Sequence, residues 1–284
     1  MKKIVTLTNI SYLTRFKEQK IDGIIIGQEN FSNRFNSYFN NDKIENIKYE
    51  CNKLGLELYI NLNNIFYEKD IINLKNNLIY LKSLKVDGIY FNDLAIIQLA
   101  KELNMIDLLI YHPDTLLTNT LDIKFYLDQN LKGVCLSNEI TLEDINEIAK
   151  YNDSLHLIIH GRINLSYSRR KFIKTYFEEI NREYKYDNNL KLSLIESTRD
   201  KKMPILENDE GTSIFSDYTL ESFNEIKLLK IEYMIIDDIF MNEDELFDTI
   251  ALYNNELDYK IFINKYLESN YSSGFYYQKT NLVK

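Results

Sequence analysis

The order of short apolar runs along the chain constrains its fold more than any other feature. Eight such runs, rich in β-branched residues, alternate with longer segments whose apolar residues recur at helical spacing. The runs are apolar on both faces, as expected of parallel strands buried between helices. They are Ile4–Thr8, Gly23–Ile26, Leu56–Asn61, Asp87–Phe91, Leu108–Tyr111, Gly133–Leu136, Leu155–His160 and Leu229–Ile236. Repeated strand–helix units of this kind form either an open, doubly wound sheet or a closed barrel.

The sequence after the first run favours the barrel. No glycine-rich phosphate-binding loop follows that run, which argues against an open dinucleotide-binding sheet. The length of 284 residues also suits a single barrel, which needs roughly 250. We therefore predict an α/β fold, a (β/α)8 TIM-like barrel, over residues 1–255. Gly23, Gly88 and Gly133 stand at the start of three runs, where we expect them to supply the backbone φ of a tight turn.

The alternation changes after Tyr176. Two apolar stretches, Leu190–Glu196 and Met203–Phe215, are separated by a charged turn, and a second turn falls at Asp209-Glu210-Gly211. This pattern predicts an antiparallel hairpin at about 190–215, inserted near the C-terminal end of the barrel. We assign residues 256–284 to a C-terminal tail and expect its polar end, from Asn270, to be loosely held.

The charge balance limits the partners of the chain. A net charge of −9 argues against a protein that grips nucleic acid alone, because phosphate contacts need clustered Lys and Arg. The cluster Arg169-Arg170-Lys171 is a candidate contact, and a partner protein is another source of positive surface. No window approaches the roughly 18 apolar residues of a membrane span, and the N-terminus does not resemble a signal peptide. We expect a cytoplasmic protein without membrane contact.

The chain has two cysteines, Cys51 and Cys135, and neither belongs to a CxxC motif. The sequence therefore shows neither a disulfide framework nor a cysteine-ligated metal cluster. Cys135 lies within an apolar run, which indicates a buried structural thiol.

Polar residues that follow the predicted strands are the candidates for function, because barrel sites lie at the carboxyl ends of the strands. They are Thr8, Asn9, Gln28, Asn61, Asn63, Asn92, Asp93, His112, Ser137, Glu139, His160, Arg162 and Glu232. Such a ring suits a polar or anionic ligand, including a small carboxylic acid. Asn and Asp also end strands for reasons of turn geometry. Glu139, His160 and Arg162 carry more weight, since these costly groups follow strongly apolar strands.

We nominate Glu139 and His160 as the catalytic pair, since together they are suited to activating water. With His112 they also form a two-His-one-carboxylate set, but the three come from different strands, and we assign no metal site. His156 and His160 are four residues apart on one strand and should share a face. Their separation of roughly 13 Å is too large for one ion.

Two stretches of the chain resemble the peptidase U32 family. The first matches, in order, the family's "itN", "sRElsl", "HG" and "YSGxC" segments. The second, Met203–Thr212, is similar to its "lPIxEDxxGT" hairpin and is followed by a counterpart of "KIEGR". The matching residues are Asn119, Ser137–Leu142, His160-Gly161, Tyr167-Ser168, Met203–Thr212 and Lys230-Ile231-Glu232. The resemblance covers roughly residues 1–250.

The departures from the family pattern concern its iron–sulfur cluster. Many members hold a cluster with four cysteines. Here Asn164 and Lys171 occupy two of those positions, and the two cysteines expected near Asn181–Tyr186 are absent. Because a [4Fe–4S] cluster needs these thiolates, the resemblance implies a member with no cluster, and we predict no cofactor.

The resemblance implies two kinds of activity. The family is named for a collagenase-like peptidase, and other members act in hydroxylation of wobble uridine in tRNA, of ribosomal RNA and of ubiquinone precursors. We expect a cluster-less subunit or accessory factor in tRNA wobble-uridine 5-hydroxylation, paired with a cysteine-bearing U32 paralogue and reaching tRNA through that complex. A U32-type peptidase and a non-catalytic barrel that binds a small anion are the alternatives, so whether the chain is an enzyme stays open. The expected substrate-binding residues are Asn119, Arg162, Tyr167, Ser168 and Glu232.

Overall fold

The computed structural model describes residues 1–151, 153–186, 189–198 and 201–279. Two residues of the predicted charged turn, 199 and 200, and the end of the predicted tail, 280–284, lie outside the described residues. The strands are β1 (Lys2–Thr6), β2 (Gly23–Gln28), β3 (Tyr38–Phe39), β4 (Glu57–Leu62), β5 (Gly88–Phe91), β6 (Leu109–Tyr111), β7 (Gly133–Cys135), β8 (Leu155–Ser168), β9 (Ser193–Ile195), β10 (Lys202–Asn208), β11 (Gly211–Leu220), β12 (Tyr233–Ile236) and β13 (Tyr271–Ser272).

Eight of these strands form a closed parallel barrel. The order is β1-β2-β4-β5-β6-β7-β8-β12, and the ring closes because β12 pairs in parallel with both β8 and β1. The predicted (β/α)8 barrel is therefore confirmed, and each of the eight apolar runs supplies one strand. The largest difference in bounds is at β8, which has 14 residues and continues well beyond the barrel.

Helices surround the barrel. They are α1 (Leu13–Glu18), α2 (Asn41–Leu54), α3 (Ile71–Leu84), α4 (Ala95–Glu102), α5 (Thr120–Leu127), α6 (Leu142–Ile148), α7 (Phe172–Glu179), α8 (Glu243–Tyr253) and α9 (Tyr259–Lys265). Short 3-10 turns lie at Ile10–Tyr12, Glu68–Asp70, Ile106–Leu108 and Leu267–Ser269. Polar side chains cap the amino-terminal ends of several helices. At α6, for example, the side chain of Thr141 accepts a hydrogen bond from the Asp144 amide in a capping box.

The core has two layers. Outward-facing strand residues pack with the helices, while a smaller cluster fills the barrel interior with one or two side chains from each of several strands. The interior cluster contains Ile4, Ile25, Tyr59, Tyr90, Ile110, Cys135 and Ile235. His156 joins this interior: its Nδ1 lies 2.8 Å from the Tyr90 hydroxyl, and its ring stacks on Tyr233 at 4.1 Å.

The three glycines at strand starts serve packing rather than turn geometry, so our explanation for them was wrong. Gly23, Gly88 and Gly133 do not have positive φ. A Cβ on Gly88 would lie 2.8 Å from the Tyr59 ring, and one on Gly133 would lie 2.8 Å from Nε2 of His156. These glycines therefore make room for the large rings that fill the narrow interior.

The predicted antiparallel insertion is present and larger than a hairpin. β11 pairs with the outer half of β8, β10 pairs with β11, and β9 pairs with β10. The buried Glu207 ties this sheet to α7, because its carboxylate accepts from the amides of Ile173 and Lys174 at 2.7 and 2.9 Å. Thr212 donates to the same carboxylate at 2.5 Å.

The described part of the C-terminal segment packs on the barrel. β13 pairs in parallel with β11, and Tyr276 is 2% exposed. The hydroxyls of Tyr276 and Ser222 lie 2.8 Å apart. Residues 271–276 of the segment that we assigned to the tail thus pack on the rest of the chain.

Candidate functional site at the barrel mouth

A small cavity opens between the carboxyl ends of the barrel strands. Its volume is about 50 Å³. The polar side chains that line it come from strand ends, from the loops after β2 and β6, and from the outer part of β8. They are Thr6, Arg34, Asn61, Asn63, His112, Asp114, Arg162, Asn164 and Asp237. We call this cavity the mouth pocket.

A buried ion pair forms one wall of the mouth pocket. Arg34, whose side chain is 7% exposed, lies 2.8 Å from Oδ2 of Asp114. Asn164 donates to the same oxygen at 3.2 Å, and Nε2 of His112 is 4.0 Å from Oδ1. Both Arg34 and Asp114 have positive φ, at 64° and 66°, a conformation that is uncommon for residues other than glycine. The pair is thus held in place by loop geometry as well as by charge.

Two consecutive aspartates follow the last barrel strand. Asp238 accepts hydrogen bonds from the hydroxyls of Thr6 and Thr8 at 2.7 and 2.5 Å. Asp237 lines the mouth pocket, where Oδ1 accepts from the Ile239 amide at 3.1 Å. Burial and the neighbouring Asp238 raise the pKa of Asp237 to about 7, and burial raises the pKa of Asp238 to about 6. The Asp237 carboxyl therefore changes its charge near neutral pH.

We did not predict Asp237 and Asp238, although they directly follow an apolar run. The predicted residue of this strand was Glu232, but it precedes β12 and is exposed. Its carbonyl accepts from the amide of Lys2, the first residue of β1. Glu232 thus lies at the amino-terminal end of the barrel, opposite the mouth pocket.

Arg162 is the predicted substrate-binding residue that does line the mouth pocket. Its guanidinium donates to the carbonyl oxygens of Ser216 at 3.0 Å and Ser269 at 3.2 Å. Burial lowers its pKa from the ordinary arginine value. These two bonds fix the guanidinium between the inserted sheet and the C-terminal segment.

His160 lies outside the barrel in an aromatic cage. Its ring packs against Phe223, Tyr253 and Tyr271, with centroids 5.4 to 5.7 Å away. Nδ1 is 3.4 Å from the Tyr253 hydroxyl, and Nε2 has no hydrogen-bond partner among the described residues. Burial alone lowers the pKa of His160 to about 3, so the ring is neutral.

A bulge in β8 explains why His160 faces outward. Ile235 pairs with Ile158, but Ile236 pairs with His160, so Ile159 is an extra residue on β8. The carbonyl of Ile159 accepts from the Tyr253 hydroxyl at 2.9 Å. Strict alternation of side chains along β8 would have placed His160 on the same face as His156. Because of the bulge, the two side chains lie on opposite faces of the strand.

The nominated catalytic pair, Glu139 and His160, shares no hydrogen bond in the described part of the chain. Glu139 is exposed, and its amide donates to the side chain of Ser137. The hydrogen bonds found for His160 do not include Glu139. No group of three His, Cys, Asp or Glu residues able to hold a metal occurs in the described part of the chain.

The remaining predicted residues have structural contacts. Asn119 is exposed and caps α5, since its side chain accepts from the amides of Leu121 and Asp122. The Tyr167 hydroxyl donates to the Glu210 carbonyl at 2.7 Å, and the Ser168 hydroxyl accepts from the Arg170 amide at 3.2 Å.

Gly161 lies on β8 between His160 of the aromatic cage and Arg162 of the mouth pocket. Its φ is +135°, and a Cβ there would lie 2.7 Å from the Asp237 carbonyl oxygen. Glycine at this position lets β8 approach Asp237 closely, between the outward turn of His160 and the inward turn of Arg162.

The residues at the expected cysteine positions do not fit an iron–sulfur cluster. Asn164 bonds to Asp114, and Nζ of Lys171 lies 2.7 Å from Asp209. The two thiols of the chain are both buried, Cys51 in α2 and Cys135 in β7. Burial raises the pKa of both, in the case of Cys51 to about 12, which disfavours the thiolates that a metal needs.

Comparison with known proteins identifies the family. The sequence model of Peptidase family U32 matches residues 8–280. The chain belongs to peptidase family U32. Among solved structures, the U32 peptidase Mk0906 is similar to this chain with a TM-score of 0.52 and 12% sequence identity. The superposition covers 83% of this chain and 92% of Mk0906. This likeness supports the barrel fold alone.

Two relatives match most of the chain. The tRNA hydroxylation protein P2 of Bacillus subtilis is 24% identical over 262 residues, which cover 90% of this chain and 85% of that protein. The uncharacterized protease MJ0090 of Methanocaldococcus jannaschii is 27% identical over 290 residues, 92% of this chain and 69% of that protein.

The U32 motifs have clear structural contacts in this chain. In the "HG" segment, Gly161 permits the approach of Asp237. In the hairpin motif, Glu207 caps α7, and a Cβ on Gly211 would lie 2.0 Å from the Ser168 carbonyl oxygen. No helix in the described ranges is long and apolar enough to cross a membrane.

Proposed function

We propose that this chain acts in the 5-hydroxylation of the wobble uridine of tRNA, as a subunit or accessory factor without an iron–sulfur cluster of its own. The observation that carries this proposal is the similarity to tRNA hydroxylation protein P2, which extends over 90% of this chain and 85% of the relative. The mouth pocket is the site that we assign to this function.

The proposal includes partners and a compartment. A cysteine-bearing U32 paralogue would supply the cluster chemistry. It would also add positive surface for tRNA, because this chain has a net charge of −9. Because the proposed substrate is tRNA, we also propose that the protein acts in the cytoplasm.

Deletion of the gene tests the proposal. We expect 5-hydroxyuridine and its derivatives to disappear from hydrolysed tRNA, as measured by mass spectrometry, and to return when the wild-type chain is expressed from a plasmid. An unchanged nucleoside profile in the deletion strain would sink the proposal. A tagged chain should also co-purify with a U32 protein that carries four cysteines.

A peptidase is the second candidate, favoured by the name of the Methanocaldococcus relative. Glu139 and His160, the pair that we nominated to activate water, share no hydrogen bond among the described residues. Incubation of the purified chain with gelatin and casein, with and without added divalent metal, tests it. Cleavage that persists in a Glu139→Gln variant would exclude Glu139 from the reaction.

A further inference from the structure

Arg162 is a largely buried positive charge that lacks a close acid. Its guanidinium is bound only to backbone carbonyls, those of Ser216 and Ser269, and no carboxylate lies within 4 Å of it among the described residues. Asp217 and Glu245 act on its charge from greater distances. Arg34, the other arginine of the mouth pocket, has Asp114 at 2.8 Å. A largely buried charge with no carboxylate within 4 Å in the described part of the chain is costly, so the mouth pocket favours an anion beside Arg162.

The mouth pocket also offers unused acceptors. Asn164 donates through Nδ2 to Asp114, but its Oδ1 is buried and has no partner in the described chain. Oδ1 of Asn61, which also lines the mouth pocket, is buried and unpartnered as well. Buried acceptors of this kind normally receive a hydrogen bond, which points to a ligand that carries a donor.

We propose that the mouth pocket binds a small oxyanion that also carries a hydroxyl group, with Arg162 as the counter-charge and Oδ1 of Asn164 as the acceptor for the hydroxyl. The proposal goes beyond the function proposed above, because it requires neither RNA nor a partner protein. The cavity of about 50 Å³ limits the bound group to a few non-hydrogen atoms.

Asp237 makes this binding depend on pH. The charged or titratable groups that face it are Asp238, Arg34, Arg162, His112 and Asp114. With a pKa of about 7, the carboxyl is mostly protonated at pH 6 and donates to an oxyanion. Above pH 8 it is ionised and repels the same ligand. Binding should therefore weaken by about tenfold between pH 6 and pH 8.

Glycolate is the probe that carries both features, and two analogues each lack one of them. Acetate keeps the charge and loses the hydroxyl, while glycolamide keeps the hydroxyl and loses the charge. Titration of the full chain with each compound at pH 6, followed by ligand-observed NMR, should give a millimolar Kd for glycolate. We expect acetate to bind several-fold more weakly and glycolamide at least tenfold more weakly.

Three variants locate the site. Arg162→Ala should weaken glycolate binding at least tenfold. Asp237→Asn should keep the binding seen at pH 6 and abolish its decline toward pH 8. His160→Phe, in the aromatic cage, is the matched control and should leave both the affinity and the pH profile unchanged. A melting curve of each variant checks that it is folded.

The outcomes separate this inference from the proposed function. Equal binding of glycolate and glycolamide, or no binding of any of the three compounds, would overturn the oxyanion site. Unchanged binding in a folded Arg162→Ala variant would do the same. Neither result bears on the tRNA proposal, which the nucleoside profile of the deletion strain tests separately.

Discussion

The mouth pocket and the aromatic cage each bury a titratable group, but their surroundings differ. Asp237 lines a cavity together with two arginines, whereas His160 is enclosed by Phe223, Tyr253 and Tyr271 and has no charged partner among the described residues. The pKa of each group is shifted chiefly by burial. The difference teaches that burial alone does not mark a functional group. Access to a cavity and complementary charges nearby distinguish the mouth pocket as the site.

The largest predicted effect concerns the charge network of the mouth pocket. Arg34→Ala should lower the free energy of unfolding by about 3 kcal/mol, because it leaves the largely buried Asp114 without its partner. Chemical denaturation at pH 7 measures the change. The matched control is Lys124→Ala, which removes an exposed pair with Asp128 and should cost at most about 0.5 kcal/mol. Equal losses of unfolding free energy in the two variants would show that the Arg34–Asp114 ion pair does not stabilise the mouth pocket.

Substitution of Gly161, which lies between His160 of the aromatic cage and Arg162 of the mouth pocket, should give the next largest loss of stability. Gly161→Ala should destabilise the protein by about 2 kcal/mol, because a Cβ at φ +135° meets the Asp237 carbonyl oxygen. Gly55→Ala is the control: its φ is +64°, but the nearest atom to the added Cβ is a lysine Nζ at 3.7 Å. It should cost only about 1 kcal/mol. If the two substitutions cost the same in denaturant melts, close packing of Gly161 on Asp237 is not important.

Burial of His160 in the aromatic cage should make the stability of the protein depend on pH. The folded pKa of His160 is about 3, well below its usual value, so the unfolded chain binds a proton first as the pH falls below 6.5. Wild-type stability should therefore decline relative to His160→Phe between pH 7.5 and pH 5, by on the order of 1–2 kcal/mol. Urea melts of both proteins across this range give the difference. If the difference in unfolding free energy between the two proteins does not change with pH, the imidazole of His160 is not buried in its neutral form.

The sequence predicted the barrel well because each strand is a run of apolar residues bounded by polar ones. Such runs report burial directly, and they located all eight strands. The error at His160 has a specific cause. Alternation along β8 placed it with His156, but Ile159 is an extra residue, and the sequence contains no sign of this bulge.

The mouth pocket could be predicted only in part. Asn61, His112 and Arg162 follow predicted strands and do line it. Asp237 directly follows the predicted run Leu229–Ile236 and could have been found in the same way, but we chose Glu232, which lies inside that run. Arg34 and Asp114 come from loops, and only the three-dimensional structure shows that they pair.

One complementation experiment tests most directly whether the mouth pocket, rather than the aromatic cage, supports function. A deletion strain would receive wild-type, Arg162→Ala or His160→Phe chains at equal protein levels, and 5-hydroxyuridine in its tRNA would be measured by mass spectrometry. We predict that wild-type and His160→Phe restore the modified nucleoside and that Arg162→Ala does not. Restoration by Arg162→Ala together with failure of His160→Phe would contradict the account.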